Sequence, residues 1–410
     1  MNVLKTLPAK DKLLDWCNKN KDTEPCKTNS HIHTPYSFSA FEHLQQAFEL
    51  ASEEDIKVLG INDFNTTKGY DEFNKLAAEY KIFPLFNIEF VGLWIKLKEL
   101  KQRVNDPNNY GRTYFCGKGL DYPISLGADS KNKLDDIKIG SVRQTNMMIE
   151  KMNDHLEENL GSDIVLSYKK ILEDYTKGQV RERHIAKALR IEIFDKYKSD
   201  DDKKNFLKLL YSGKETKVDI TDDAAMENEI RSNLLKSGGR AFVEEDKKAF
   251  FSIREIIEIV LDAGGIPCYP VLLDDKDGSF TDFEEDKEAM LKELIRKKVF
   301  CVELIPLRNN AEILKEYVTF FKENKFIVTF GTEHNTPDLT PLTISCRKDV
   351  LIDDELQEIS YKGSCVIAAH QYLRSIDEEG YVDDKGIAKI DQIEQFEALG
   401  NAVIQWFINH

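Results

Sequence analysis

Regular alternation of short apolar runs with amphipathic stretches is the feature that most limits how this chain can fold. Residues 58–61 and 82–88 predict strands, and residues 41–51 and 70–80 carry apolar side chains at helical spacing. A strand that ends at the pair His31 and His33 completes the order strand, helix, strand, helix, strand. This order builds a parallel sheet with helices outside, so we predict an α/β fold, a TIM-like barrel.

Each of these three predicted strands ends in a side chain that can bind metal. His31 and His33 point the same way in an extended strand, and Asp63 and Glu89 end the next two strands. Active sites of such barrels form at the carboxyl ends of the strands. Paired imidazoles suit zinc, iron, manganese or nickel better than calcium. A polar segment that enters a turn is the alternative interpretation of the histidine pair.

The rest of the chain resumes the alternation after two interruptions. Residues 93–176 lose the rhythm and are predicted to form an insertion over one end of the barrel, and the charged, helix-rich residues 199–245 are predicted to form a helical insertion. Three later apolar runs predict buried strands: 266–273, 300–305 and 326–330. We therefore predict a metal-binding barrel over residues 1–350 and a C-terminal helical segment over residues 351–410.

Charge and cysteine content narrow the partners of the chain. Its 57 basic and 73 acidic residues give a net charge of -16, which argues against a nucleic-acid partner but leaves a local basic pocket possible. Seven cysteines, none spaced Cys-x-x-Cys, fit reduced thiols in a cytoplasm. The chain has no uncharged apolar run long enough to span a bilayer, and Pro8 interrupts the start too soon for a signal peptide. We expect a cytoplasmic protein without a membrane partner, and the sequence predicts no particular oligomeric state.

Five short stretches carry a resemblance to a known family. Residues 30–37 read Ser-His-Ile-His-Thr-Pro-Tyr-Ser, residues 62–69 read Asn-Asp-Phe-Asn-Thr-Thr-Lys-Gly, and residues 87–90 read Asn-Ile-Glu-Phe. Residues 184–189 read His-Ile-Ala-Lys-Ala-Leu and residues 331–335 read Gly-Thr-Glu-His-Asn. In this order they resemble motifs of the PHP family, named for its polymerase-associated and histidinol phosphatase members: His-x-His-Thr-x-Tyr-Ser, Thr-Asp-His-Asp-Thr-x-x-Gly, Gly-Ile-Glu, His-Ile-Ala-Arg-Ala-Leu and Gly-Ser-Asp-x-His.

The resemblance spans most of residues 30–337 and implies a distorted (βα)7 barrel with two or three metal ions that most often hydrolyses phosphate esters. Residues that match family metal ligands are His31, His33, Asp63 and Glu89. Glu89 corresponds to the usual bridging carboxylate. His184 matches a family site histidine.

Two departures remove histidines that the family supplies. Phe64 stands where a ligand histidine is expected, and a phenyl ring coordinates nothing. The family's Ala-His-Pro motif has no counterpart, because Tyr269 or Val271 falls at its histidine, depending on the alignment.

The last motif departs as well. Glu333 replaces aspartate, and either Asn335 replaces the histidine or His334 takes its role after a shift of one residue. With fewer imidazoles available, we expect one or two divalent ions, Zn, Mn or Fe. The expected ligands are His31, His33, Asp63, Glu89, Glu333 and His334.

The chemistry expected from the resemblance is hydrolysis of a small phosphate monoester by a metal-activated hydroxide. Arg183, Arg112 and Lys118 are candidates to neutralise the phosphate oxygens. His184 or His334 is a candidate to protonate the leaving group, since imidazole titrates near neutral pH.

Other interpretations stay open at this point. His184 also fits a helix-face histidine satisfied by the backbone, Arg183 a surface ion pair, and Lys118 a tight exposed turn. In place of a phosphoesterase, the chain fits a metal-poor barrel that binds a ligand or a protein, or a metal-dependent amide or lactone hydrolase.

Overall fold

The computed structural model describes residues 2–20, 25–244, 250–275 and 278–410, and its centre is a sheet curved into a nearly closed barrel. Seven of its strands form the wall of the barrel: β1 (Lys27–Ile32), β2 (Ile56–Phe64), β3 (Phe83–Leu93), β4 (Arg112–Lys118), β6 (Ile266–Val271), β7 (Cys301–Leu304) and β8 (Ile327–Phe330). They lie in the order β1-β2-β3-β4-β6-β7-β8, and the two-residue β5 (Phe251–Ser252) pairs with the end of β3. The predicted TIM-like barrel is confirmed.

Strand β4 differs from the sequence-based expectation. It lies within the range expected to be an insertion, yet it is a barrel strand that runs antiparallel to both β3 and β6. Its residue Cys116 pairs with Glu89 on one side and with Cys268 on the other. A lone reversed strand breaks the strand-helix rhythm on which the prediction depended.

Backbone hydrogen bonds beyond the ends of β1 and β8 close the barrel. The amide of His33 donates to the carbonyl of Glu333 at 2.6 Å, and the amide of Glu333 donates to the carbonyl of His31 at 3.0 Å. Gly331 permits this approach, because a Cβ there would lie 2.2 Å from the Cβ of His31. The last predicted motif is thereby placed beside the first.

Amphipathic helices cover the outside of the barrel: α2 (Leu44–Glu53), α3 (Tyr70–Tyr80), α10 (Ile253–Asp262), α11 (Lys287–Arg296) and α12 (Ala311–Glu323). In α10 the buried residues Ile253, Ile256 and Val260 recur at helical spacing, and Ser252 with Glu255 forms a capping box at its start. Shorter elements are α4 (Ile95–Glu99), β9 (Ser345–Cys346) and β10 (Val350–Leu351).

The C-terminal helices α13 (Asp354–Ser375) and α14 (Ile393–Asn409) pack on each other, and α14 also packs on α1 (Lys10–Lys19). Helix α13 crosses the amino-terminal end of the barrel. Its Gln371 donates to the carbonyl of Pro84 at the start of β3 at 2.7 Å, and its Ser364 contacts Ser30 of β1 at 2.9 Å. This end is therefore closed, and the carboxyl ends of the parallel strands face the other way.

A second hydrophobic core lies in a helical region that we call the helical cap, residues 128–243. It consists of α5 (Ala128–Asp154), α6 (Tyr168–Tyr175), α7 (Glu182–Lys196), α8 (Asp200–Leu210) and α9 (Asp223–Leu234). Its core runs from Met148 to Val243. Helix α7, which carries the motif at His184, packs in this core and not in that of the barrel. Residue 245, where the second predicted insertion ends, lies outside the described residues.

Among the described residues, no helix combines the length and the apolar character needed to cross a membrane.

Candidate metal centre

Three predicted ligands meet inside the mouth of the barrel, and we call them the ligand triad: His31, His33 and Glu89. The Nε2 atoms of the two histidines are 3.2 Å apart. Glu89 Oε2 lies 3.0 Å from His33 Nε2 and 3.7 Å from His31 Nε2. All three side chains are buried, at 3% exposure or less. Three donor atoms thus converge on one point, as metal binding requires.

The tautomer of His31 follows from its partner. Its Nδ1 lies 2.6 Å from Oε1 of Glu303, a residue of β7. An ionised carboxylate only accepts hydrogen bonds, so Nδ1 carries the proton and Nε2 presents a lone pair to the triad. The amide nitrogen of Asn62 is 2.8 and 3.0 Å from the two ring nitrogens, which places it over the ring face and leaves the lone pair available.

The tautomer of His33 follows from a longer chain of hydrogen bonds. Ser37 Oγ donates to Asp63 Oδ1 at 2.6 Å, so this hydroxyl accepts from its other neighbour. That neighbour is His33 Nδ1, at 3.3 Å. His33 is therefore also protonated at Nδ1, and its Nε2 lone pair points toward that of His31.

This arrangement calls for a cation. Two lone pairs at 3.2 Å repel each other, and Glu89 Oε2 is buried without a hydrogen-bond donor among the described residues. Burial lowers the pKa of His33 to about 4 and raises the pKa of Glu89 to about 8. A divalent ion shared by the three atoms would supply the missing partner, so the donor set fits a metal such as zinc, iron or manganese.

A second group of close donors shares His31: Cys116 and Glu303. The negative charge of Glu303 is already balanced, because its Oε2 forms an ion pair with the ammonium of Lys118. Burial also raises the pKa of the Cys116 thiol well above its usual value, which keeps it protonated. We therefore favour the ligand triad as the metal site and Glu303 as the residue that orients His31.

Asp63 supports the triad through the loop that follows β1. One of its oxygens accepts from the amide of Thr34 at 2.7 Å and from Ser37, and the other accepts from the Thr34 hydroxyl. Both oxygens are thus engaged with this loop. In this geometry Asp63 holds the hydrogen-bond chain to His33 and is not one of the three converging donors.

Glu333 and His334 follow β8, and the side-chain partners of both lie outside the ligand triad. Glu333 forms an ion pair with Arg308 and accepts from the Asn335 amide at 3.0 Å. His334 stacks on Phe41, and its Nε2 donates to the carbonyl of Thr340 at 2.8 Å. Its Nδ1 lies 2.8 Å from the Thr332 hydroxyl, so both ring nitrogens are engaged outside the triad. This geometry does not support the predicted ligand and acid roles.

His184 and Arg183 begin helix α7. His184 Nδ1 accepts from the amide of Arg181 at 3.0 Å as part of the helix cap, and burial lowers its pKa to about 3. His184 therefore matches the alternative interpretation, a helix histidine that is hydrogen-bonded to the backbone, and its position does not support a role as the leaving-group acid. Arg183 donates to Asn228 at 2.9 Å and lines a cavity between the cap and the barrel mouth.

That cavity has a volume of about 180 Å³ and is lined by residues of both regions. Five of them are basic and only Glu182 is acidic, so we call it the cationic cavity; the basic residues are Arg112, Arg181, Arg183, Arg231 and Lys236. Lys118 is not among them. It is fully buried beside Glu303, and the expected phosphate contact is not supported by this position.

Phe64 separates the cationic cavity from the triad. Its ring stacks on His33 with 4.5 Å between ring centroids, and the Arg181 guanidinium lies 4.5 Å from its centroid. The other two positions without the expected histidine lie elsewhere: Tyr269 donates to buried Glu284 at 2.8 Å, and Val271 is core.

Sequence reasoning missed several functional candidates. Glu303 had one available signal, a charged residue within an apolar strand, whose burial demands a partner. Arg181, Arg231 and Lys236 had none, because they resemble the many solvated charges of this chain.

The fold is similar to solved structures, although no protein-family model matches the chain and no curated protein is similar to it in sequence. One similar structure is a protein from Bifidobacterium adolescentis assigned as a metal-dependent phosphoesterase, with 17% identity, a TM-score of 0.53, and coverage of 82% of this chain and 96% of that one. Another is an amidohydrolase from Chromobacterium violaceum, with 14% identity, a TM-score of 0.48, and coverage of 78% and 93%. Identities this low show a likeness of fold alone.

Proposed function

We propose that this protein is a metal-dependent phosphoesterase that hydrolyses a small phosphate monoester, with the PHP-like barrel as its scaffold. The observation that carries the proposal is the ligand triad, in which two lone pairs and an unpartnered carboxylate oxygen converge in a buried site. A divalent ion held there supplies a Lewis acid and an activated water. The cationic cavity next to it favours an anionic substrate.

The residues of this chain act on such an ion in defined ways. Glu303 and the Ser37–Asp63 pair hold the two imidazoles in the tautomer that binds metal. Glu89 adds the negative charge, and the surrounding barrel excludes water, which strengthens electrostatic interactions. Glu333, close to the triad at the barrel seam, is a candidate to complete the coordination.

Metal analysis tests the site first. The purified, metal-replete protein is expected to hold at least one ion per chain, and His33→Ala combined with Glu89→Gln to abolish binding. His43→Ala with Glu53→Gln, both at exposed positions of the α2 region, is the matched control. Less than about half an ion per chain in the wild type would favour the metal-poor binding module instead.

Phosphate release from a panel of monoesters tests the reaction. We expect release that depends on the added metal and is lost in the triad variant. Metal binding without release from any monoester would exclude the phosphoesterase and favour an amide or lactone hydrolase, since the same ion serves acyl transfer.

A further inference from the structure

The cationic cavity concentrates positive charge in a protein whose net charge is -16. Four of its basic residues come from the helical cap and its flanks, and Arg112 comes from barrel strand β4. Glu182 forms ion pairs with Arg231 and Lys236, each at 3.0 Å, and can balance only one of these charges. The lining therefore has more positive than negative charge.

Arg112 has a carboxylate partner outside the lining, Asp106 at 3.3 Å, and among the described residues of the lining Glu182 is the one acidic side chain beside the other four cations. Burial, together with the charges of Arg231 and Arg181, lowers the pKa of Arg183 to about 9, against the opposing effect of Glu182 and Asp338. The Nη1 of Arg183 donates to a neutral partner, Asn228. Planar guanidinium groups that converge on one space match the oxygens of a phosphate group, which can accept paired hydrogen bonds.

The position of the cavity relates it to the triad. His33 covers one face of the Phe64 ring, so Arg181 at 4.5 Å from the centroid lies over the other face. The two sites are thus separated by the thickness of one aromatic ring. The cavity, which Phe64 itself lines, therefore lies next to the triad on the opposite side of this ring.

The volume of the cationic cavity limits the size of the group that it can enclose. Its volume of about 180 Å³ is below the roughly 300–1,000 Å³ that encloses a whole drug-sized ligand. Aromatic side chains of Phe38, Tyr114 and Phe250 form other parts of its wall. The space therefore suits one compact charged group on a short linker.

We propose that the cationic cavity is a binding site for a second phosphate group of the substrate, one that is not hydrolysed while the ester at the triad is. That the bound molecule is a substrate rests on the proposed function, but the binding of phosphate to the cavity does not depend on catalysis. The substrate class is a small molecule with two phosphate groups, bound on the two sides of Phe64. The cap contributes most of the cations, so the second group also bridges the cap and the barrel.

Inorganic phosphate is the probe for the cavity itself. Isothermal titration of chelator-treated, metal-free protein is expected to show saturable binding that chloride at equal ionic strength does not reproduce. Arg231→Gln with Lys236→Gln should weaken it about 10- to 100-fold, as expected for loss of charge-assisted hydrogen bonds. The matched control is Arg254→Gln with Lys169→Gln, whose side chains are 86% and 82% exposed.

Arg183→Gln gives a second variant that leaves the Glu182 ion pairs in place, and circular dichroism checks the fold of each. Loss of phosphate binding in the cavity variants with retention in the control supports the site. Absence of saturable binding in the wild type, equal weakening in the control, or unchanged affinity in both folded cavity variants overturns it.

A second comparison tests the substrate class with metal-loaded protein. We expect kcat/KM for propane-1,3-diol bisphosphate to exceed that for the monophosphate by at least about 10-fold, and this ratio to fall in the cavity variants. A ratio near one in the wild type would overturn the substrate class. Failure to hydrolyse either compound would count against the proposed function alone, since phosphate binding to the metal-free protein is measured independently.

Discussion

Glu303 links two parts of the barrel interior through its two carboxylate oxygens. One accepts from His31 Nδ1 and the other pairs with Lys118, which is buried with it. The pKa of Glu303 is lowered to about 2 by Lys118 and then His31, against the opposing effect of burial. The ion pair therefore keeps a charged acceptor behind His31.

Lys118→Met tests this ion pair. Without the ammonium, the Glu303 carboxylate stays buried and uncompensated, so we expect the free energy of unfolding to fall by about 3–5 kcal/mol. Lys118→Met combined with Glu303→Leu should recover much of that loss, because no unpaired charge remains. Urea unfolding measures both, with exposed Lys131→Met as the control. Equal stability of Lys118→Met and the wild type would refute the structural role.

At the scale of residues, local pattern identified part of the site and no more. His31 lies in β1, His33 directly follows it, and Glu89 lies inside β3, which continues to Leu93 beyond the predicted strand end. Their convergence follows from the predicted order of strands, although the predicted end of β3 was wrong. The partners of Glu303 lie 185 and 272 residues away in the chain, and no local spacing reveals such contacts. His334 looked equivalent to a ligand, but its ring is held by Phe41, from the loop after β1, and by Thr340, six residues further along its own loop.

At the scale of elements, the strands with strong apolar periodicity were predictable and β4 was not. Its residues alternate poorly, and its place depends on pairing with both β3 and β6. The closing contact of β8 with β1 was not predictable either, because Gly331 is needed there only to fit against His31, which is distant in the sequence.

Gly331→Ala should disturb this closing contact. Its Cβ would lie 2.2 Å from that of His31, so β8 must shift and His31 must move with it. We expect a loss of about 1–3 kcal/mol in unfolding free energy, as for other overpacked cores, together with weaker metal binding in a chelator competition. Gly127→Ala, whose Cβ would approach only Asp262 at 3.3 Å, is the control. Unaltered metal affinity would show that the triad tolerates movement of β8.

At the scale of the whole molecule, helix α13 joins strands from several sides of the closed end. His370 in this helix donates through Nε2 to the carbonyl of Gly264 at 2.7 Å and accepts at Nδ1 from the amide of Tyr381 at 2.9 Å. The contact at Nδ1 requires the neutral ring, because both nitrogens of the protonated ring are donors. Burial lowers the pKa of His370 to about 4.

Acid should therefore weaken the fold through His370. Its folded pKa lies below the unfolded value of about 6.5, so between those values the unfolded chain binds more protons and stability falls as the pH falls. The contribution is about 1.4 kcal/mol per pH unit. His370→Gln should reduce the loss between pH 6.5 and 5.0 by about 1.6 kcal/mol in urea unfolding, and exposed His43→Gln should not. Equal losses in wild type and His370→Gln would contradict this assignment.

The reversed direction of β4 has a mechanical consequence for the cap. The chain leaves β4 near the closed end of the barrel, while the cap lies over the open end. Helix α5, with 27 residues and hence about 40 Å long, covers this distance: Ile137 packs in the barrel core and Met148 in the cap core. Helix α5 thus connects the two cores: its base is held where Gly127 donates to Asp262 at 2.8 Å, and its middle, from Ile137 to Thr145, lines the cationic cavity.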